Sequence, residues 1–143
     1  MLTSFLVICL GPLFPGIYYP RQMANILVID EDAAVRGLFQ TVLQSAGHAV
    51  SLAANAAEGW DVLRGSAIEM VITDLNMPQG TGLEVISVLR HDFPTMKVLV
   101  VSGEASECDP LQDSSCLDAV EVLPKPVGVS HLLGTVNRVL GYH

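Results

Sequence analysis

The chain has 143 residues and a mass of 15.3 kDa, which is enough for one domain and too short for two of ordinary size. Half of the residues are hydrophobic, so a packed core is expected and general disorder is excluded. Seven Lys and Arg residues stand against fifteen Asp and Glu residues, for a formal net charge of −8. This balance argues against direct nucleic-acid binding, because phosphate contacts need clustered cations.

The three cysteines lie at positions 9, 108 and 116, where they form no CxxC pair, and one is left over in any pairing. This pattern argues against a disulfide framework and against a zinc site. A reducing compartment is the simplest interpretation, and we therefore expect the protein in the cytoplasm.

Residues 1–22 form an apolar extension that does not match the rest of the chain. Its first cation is Arg21, and Pro and Gly residues interrupt its second half. A secretory signal would begin with basic residues, and none precedes this apolar stretch. Met23 stands directly before the first segment typical of a folded domain. We favour translation starting at Met23, with the extension as a start-site artefact and the domain spanning 23–143. A membrane anchor formed by residues 1–20 and a tail packed on the domain are the alternatives.

From residue 25 onward, short apolar runs alternate with helical patterns. The runs predict strands over residues 26–29, 48–52, 68–73, 97–101 and 119–123. Spacings of three and four between apolar residues predict helices over residues 35–46, 55–64, 83–91 and 130–140, with a weaker fourth helix over 105–117. The order of these elements predicts an α/β fold with a doubly wound five-stranded parallel sheet and helices on both faces. Among the possible strand orders we choose the flavodoxin-like 2-1-3-4-5.

For some side chains the sequence predicts only a structural role. Asp32, Asn55 and Ser130 can each accept hydrogen bonds at the start of a helix, and Gly47 is suited to end the first one. All four histidines are expected on the surface, at positions 48, 91, 131 and 143.

Polar residues stand where the predicted strands end. The acids of residues 30–32 follow strand 1, Asp74 follows strand 3, Ser102 ends strand 4, and strand 5 leads into Lys125. In the proposed order these strand ends converge on one edge of the sheet, where ligands bind in such folds. Clustered carboxylates repel one another, and a divalent cation reverses that penalty. Mg²⁺ suits a site made only of oxygen ligands.

Four stretches of sequence together resemble the receiver domain of bacterial two-component response regulators. They are ILVIDED at 26–32, VITDLNMPQGTG at 71–82, VLVVSGE at 98–104 and LPKP at 123–126. The resemblance covers the chain from about residue 24 to residue 141, as in single-domain regulators of the chemotaxis type. It implies a signalling switch and not an enzyme acting on a separate substrate.

The resemblance also implies residue roles. Asp74 matches the aspartate that takes a phosphoryl group from a sensor histidine kinase or a phosphotransfer protein. Asp30 and Glu31 match the acidic pair that holds Mg²⁺ together with Asp74, and the backbone carbonyl of Asn76 is the expected further ligand.

Two further matches lie near the ends of the last two strands. Lys125 matches the lysine that pairs with a phosphoryl oxygen, and Ser102 matches the hydroxyl residue that closes on the phosphoryl group. Pro126 suggests a cis peptide bond after the lysine. Output is expected through protein–protein contacts on the face formed by the predicted fourth helix, strand 5 and the last helix.

The chain departs from the family pattern at two positions. Val122 stands where the family usually has Tyr or Phe, and Val127 stands where it usually has Phe. The valine at 122 has no ring to swing inward, which keeps open the alternative of a degenerate receiver that binds a partner without being phosphorylated.

A second alternative is an Mg²⁺-dependent phosphatase, because residues 30–32 also resemble the DxD motif of haloacid-dehalogenase-type enzymes. Against it, Ala34 stands where that family prefers Thr. In addition, no Asp or Glu occurs after Glu121 to serve as a late metal ligand.

Overall fold

The computed structural model describes residues 23–74, 82–103 and 121–142. The interpretations of residues 1–22, of Asn76 and of the weak fourth helix concern residues outside this part of the chain. No helix within the described residues is long and apolar enough to cross a membrane.

The described residues form a parallel sheet of five strands in the order β2-β1-β3-β4-β5, so the predicted fold class and strand order are confirmed. The strands are β1 Asn25–Ile29, β2 Ala49–Ala53, β3 Met70–Asp74, β4 Lys97–Ser102 and β5 Glu121–Pro124. The described helices are α1 Ala33–Ser45, α2 Ala56–Gly65, α3 Gly82–Asp92 and α4 Val129–Leu140. The boundaries differ from the predicted ones by one or two residues at most ends, as expected where helices and strands fray.

The three central strands are buried on both faces, because helices cover both sides of the sheet. Alternate residues enter different hydrophobic clusters: Leu27 and Ile29 of β1 point to one, whereas Ile26 and Val28 point to the other. The first cluster lies under α2 and α3, and the second lies under α1 and α4. This two-sided burial explains why β1, β3 and β4 appear in the sequence as continuous apolar runs.

Helix termini follow the sequence signals in three cases and depart from them in a fourth. Asp32 caps α1 by accepting hydrogen bonds from the backbone N–H groups of Ala34 and Val35, and Asn55 caps α2. Gly47, just beyond the end of α1, has a φ of 97°, in the left-handed region that favours glycine. The prediction for Ser130 is wrong. The last helix begins one residue before Ser130, and Gly128 occupies the N-cap position without a side-chain hydrogen bond.

The prediction that His48 lies on the surface is also wrong, because its side chain is buried directly before β2. Its Nδ1 accepts a hydrogen bond from the backbone N–H of Ala24 at 3.1 Å. Its ring stacks on that of Tyr142 with 6.3 Å between the centroids, and the Tyr142 hydroxyl donates to the carbonyl of Met23 at 3.2 Å. Burial lowers the pKa of His48, and the nearby charge of Glu69 opposes this effect. By contrast, the histidines at 91 and 131 are exposed as predicted.

Candidate functional site

The strand register brings polar side chains to one edge of the sheet. Ile29 of β1 pairs with Thr73 of β3, so the residues that follow them, Asp30 and Asp74, lie side by side at the same level. On the next strands, Ser102 of β4 pairs with the last residue of β5. The site is therefore assembled at the carboxyl ends of four neighbouring strands, as expected for a doubly wound sheet.

Lys125 connects the two aspartates. Its Nζ lies 2.9 Å from Oδ2 of Asp74 and 4.0 Å from Oδ2 of Asp30. The backbone N–H of Lys125 donates to the carbonyl of Ser102 at 2.8 Å, which fixes where the lysine leaves β5. The peptide bond between Lys125 and Pro126 is cis, as the resemblance implied. Two carboxylates thus share one ammonium group, and the trio retains a net negative charge.

Asp30 is almost completely buried, with 3% of its surface exposed. Its Oδ1 accepts a hydrogen bond from the backbone N–H of Asp32 at 2.8 Å, so Oδ2 is the oxygen that faces Lys125. Burial raises the pKa of Asp30. The hydrogen bond from Asp32 opposes this shift, and the charge of Asp74 adds to it. A buried carboxyl with raised proton affinity is one that a cation would stabilise in its charged form.

The ammonium group of Lys125 stays charged in this environment. Burial lowers the pKa of Lys125, but its hydrogen bond to Asp74 and the negative charges of Asp74 and Asp30 outweigh burial and raise the pKa above its usual value. The lysine therefore presents a permanent positive charge beside both carboxylates.

Ser102 is buried, with 1% of its surface exposed, at the end of the strand next to β3. The register pairs Asp74 of β3 with Val101 of β4, the residue before Ser102. Ser102 therefore lies on the same edge of the sheet as Asp74. The site therefore combines acidic, basic and hydroxyl groups on adjacent strands.

Glu31 is placed differently from Asp30. Its side chain is exposed, and among residues 23–74, 82–103 and 121–142 no three His, Cys, Asp or Glu side chains converge as a metal-binding group. The two buried carboxylates, Asp30 and Asp74, are thus the central acidic groups of the described site, and Glu31 lies at its solvent side.

Sequence reasoning missed one residue that contacts this loop. Nη1 of Arg36 donates to the backbone carbonyls of Asp30 at 2.6 Å and Glu31 at 2.9 Å. The available signal was positional: an arginine four residues after the N-cap Asp32 lies one helical turn into α1, within reach of the loop before it.

A doubly wound sheet with these groups at the ends of β1, β3, β4 and β5 defines a receiver-type domain. The sequence model of the response regulator receiver domain family matches residues 26–137. The chain belongs to this family, whose members act as signalling switches in two-component systems. This assignment decides against the haloacid-dehalogenase-type phosphatase.

Curated relatives include transcriptional regulators that are longer than this chain. It is 32% identical over 117 residues to the DNA-binding transcriptional regulator NtrC of Rhizobium meliloti, covering 82% of this chain and 24% of that protein. It is 31% identical over 116 residues to the response regulator MprA of Mycobacterium sp. (strain KMS), covering 81% of this chain and 50% of that protein. The chain thus spans about a quarter to a half of the length of these relatives.

Solved structures show the same fold. The response regulator TrrA of Thermotoga maritima, crystallised with Mg²⁺ and BeF, is 26% identical with a TM-score of 0.75, covering 82% of this chain and 99% of that one. The chemotaxis protein CheY4 of Vibrio cholerae is 28% identical with a TM-score of 0.74, covering 82% and 98% of the two chains.

Proposed function

We propose that this receiver domain is a phosphorylation switch in which Asp74 accepts a phosphoryl group from a sensor histidine kinase or a phosphotransfer protein. The observation that carries the proposal is the position of the Lys125 ammonium, 2.9 Å from Asp74 and 4.0 Å from Asp30. A partly buried cation held between two strand-end carboxylates is arranged to compensate charge that arrives on Asp74.

The Asp74 carboxylate is the nucleophile in this proposal. One of its oxygens forms a bond to phosphorus while the bond between phosphorus and the donor histidine nitrogen breaks, and that nitrogen keeps the electron pair. Lys125 pairs with a phosphoryl oxygen, exchanging a contact with the Asp74 carboxylate for one with the new group. Ser102, at the end of the adjacent strand, is the hydroxyl residue that would close on the phosphoryl group.

The described residues fit a magnesium ion. Asp30 and Asp74 provide buried carboxylate oxygens, and Mg²⁺ binds through one or two carboxylates while keeping several waters. Burial raises the pKa of Asp30, and a cation would hold this carboxylate in its charged form. Glu31, whose side chain is exposed, would act from the solvent side, and the Asn76 carbonyl remains a prediction outside the described residues. When bound, the ion would neutralise charge on the transferring phosphoryl group. The Mg²⁺–BeF complex of TrrA supports this assignment by analogy.

The degenerate receiver remains the second candidate because of Val122. This side chain is half-buried and packs against the hydrophobic cluster beneath α2 and α3, where it has no ring to reorient. Asp30 and Asp74 both lie within 4.0 Å of the Lys125 ammonium, which favours phosphorylation over mere binding, since a module that only binds has no need of a partly buried cation between two acids.

Partners follow from the same proposal. We expect a downstream protein to bind the face made by β5, α4 and the predicted helix over residues 105–117, the last of which lies outside the described residues. The net charge of −8 disfavours direct nucleic-acid contact by this domain. We also propose that the protein acts in the cytoplasm. It would not attach to a membrane unless residues 1–20 form an anchor.

Intact-mass measurement after incubation with acetyl phosphate and Mg²⁺ tests the proposal. The wild-type chain should gain one phosphoryl group, and Asp74→Asn should gain none. Asp61→Asn is the matched control, because Asp61 is an exposed acid on α2 that pairs with Arg64, and it should behave as wild type. An unmodified wild-type chain beside an active control receiver, or a phosphorylated Asp74→Asn chain, would reject the proposed function.

A further inference from the structure

The guanidinium group of Arg36 lies against the loop between β1 and α1. Its Nη1 is shared by the carbonyl oxygens of Asp30, at 2.6 Å, and Glu31, at 2.9 Å. The backbone N–H of Arg36 donates to the carbonyl of Asp32 at 3.0 Å in the first turn of α1. One residue thus binds three consecutive carbonyl groups of the loop, two of them through its side chain.

The same loop carries the acidic pair of the site. Oδ1 of Asp30 accepts from the backbone N–H of Asp32, which sets the side-chain torsion of the buried carboxylate. The Arg36 hydrogen bonds constrain the backbone instead of this side chain. They fix the orientation of the two peptide groups that follow Asp30 and Glu31. The direction in which both acidic side chains leave the backbone depends on these peptide planes.

We propose that Arg36 is a positioning residue that holds the Asp30–Glu31 loop in the conformation required for binding a divalent cation. This inference rests on the proposed function, since it concerns the same site. A planar, permanently charged guanidinium is suited to hold adjacent carbonyls, and its half-buried position lowers the competition from water. Without it, the loop would have to be ordered when the cation binds, and affinity would fall accordingly.

Arg36 also brings a positive charge toward a cation site, and this effect has the opposite sign. Simple repulsion predicts that removing the charge tightens Mg²⁺ binding, whereas positioning predicts that it weakens it. Positioning should dominate, because the guanidinium donates directly to two loop carbonyls, whereas its charge is half-exposed and partly screened by solvent. Residues that orient metal ligands typically contribute about 10- to 100-fold to metal affinity.

The decisive experiment measures the Mg²⁺ dissociation constant of the full chain by calorimetry. Arg36→Met removes both charge and donor, Arg36→Gln keeps a neutral donor, and Arg36→Lys keeps charge and donor without the planar fork. We expect the Met variant to bind Mg²⁺ about tenfold or more weakly, and the Lys variant to lie between it and wild type. Arg64→Met, at an exposed arginine of α2, is the matched control and should leave the constant unchanged.

Two further readouts separate positioning from a general loss of structure. In metal-free protein, the amide NMR signal of Asp32 should shift and exchange faster with solvent in Arg36→Met, because its hydrogen bond to Asp30 is loosened. Phosphorylation by acetyl phosphate should need more Mg²⁺ for half-maximal rate while approaching the wild-type rate at saturation. If Arg36→Met does not fold, the intermediate affinity of Arg36→Lys carries the same test.

The possible outcomes are distinguishable. Unchanged or tighter Mg²⁺ binding in both Arg36→Met and Arg36→Gln, with a wild-type chain that binds Mg²⁺ and is phosphorylated, overturns this inference and leaves the proposed function intact. A wild-type chain that neither binds Mg²⁺ nor gains a phosphoryl group overturns both.

Discussion

Replacing Lys125 with Met tests how much its ammonium group stabilises the carboxylates of Asp30 and Asp74. Methionine keeps a chain of similar length and removes the ammonium, so Asp30 and Asp74 remain as buried carboxylates without their shared cation. At an effective dielectric constant of about 20, the attraction is about 6 kcal/mol at 2.9 Å and about 4 kcal/mol at 4.0 Å before desolvation. Desolvation offsets most of this, and 32% of the lysine side chain is exposed, so we expect a net loss of about 1 to 3 kcal/mol.

The sign of the Mg²⁺ effect makes the prediction specific. A divalent cation can replace the missing ammonium beside both carboxylates, and it no longer meets a positive charge there. Mg²⁺ should therefore bind Lys125→Met more tightly and raise its unfolding free energy by more than it raises that of the wild type. Phosphorylation of the variant should nevertheless be slow, because the phosphoryl oxygens lose their ammonium partner.

Urea unfolding with and without Mg²⁺, followed by circular dichroism, measures both effects. Lys97→Met is the matched control, since Lys97 is exposed at the start of β4, at the opposite end of the sheet from the site. The reasoning is refuted if Lys125→Met is as stable as the wild type without Mg²⁺, or if Mg²⁺ stabilises the two proteins equally.

Two other predictions concern groups outside the site. Because burial lowers the pKa of His48 below the unfolded value of about 6.5, its contribution to stability is complete above that pH and is lost as the pH falls, by at most about 1.4 kcal/mol per pH unit. Urea unfolding between pH 5 and 7 should show this dependence in wild type and in the exposed-site control His91→Gln but not in His48→Asn; equal slopes in all three would contradict it. The Thr135 hydroxyl is buried without a hydrogen-bond partner in the described structure, so Thr135→Val should raise the unfolding free energy by roughly 1 kcal/mol. A lower melting temperature for Thr135→Val would count against that argument, and Thr41→Val, at an exposed hydroxyl bonded within α1, provides the comparison.

Signals that depend on neighbouring residues were accessible from the sequence alone. Strands buried on both faces need continuous apolar runs, so β1, β3 and β4 were visible without coordinates. Caps such as Asp32 and Asn55 act over two or three residues, and local spacing therefore predicted them. The strand-end acids followed from the same logic, because a parallel sheet gathers its carboxyl ends on one edge.

Contacts between distant residues required the tertiary structure. His48 looks like an ordinary polar residue after a helix, but the fold places the Tyr142 ring and the Ala24 amide against it. Ser130 had the right chemistry for a cap, yet the helix begins earlier, at the residue after Gly128. Sequence spacing also says nothing about which carbonyl a flexible arginine such as Arg36 will reach.

The sequence by itself determined which chemical groups stand at the strand ends, because hydrophobic periodicity and short-range hydrogen bonding are written into consecutive residues. Only the tertiary structure decided how those groups are held: Lys125 is 51 positions away from Asp74, and their 2.9 Å contact depends on the register of three adjacent strands. Distances of this kind arise from the packing of the whole sheet, which no local pattern encodes.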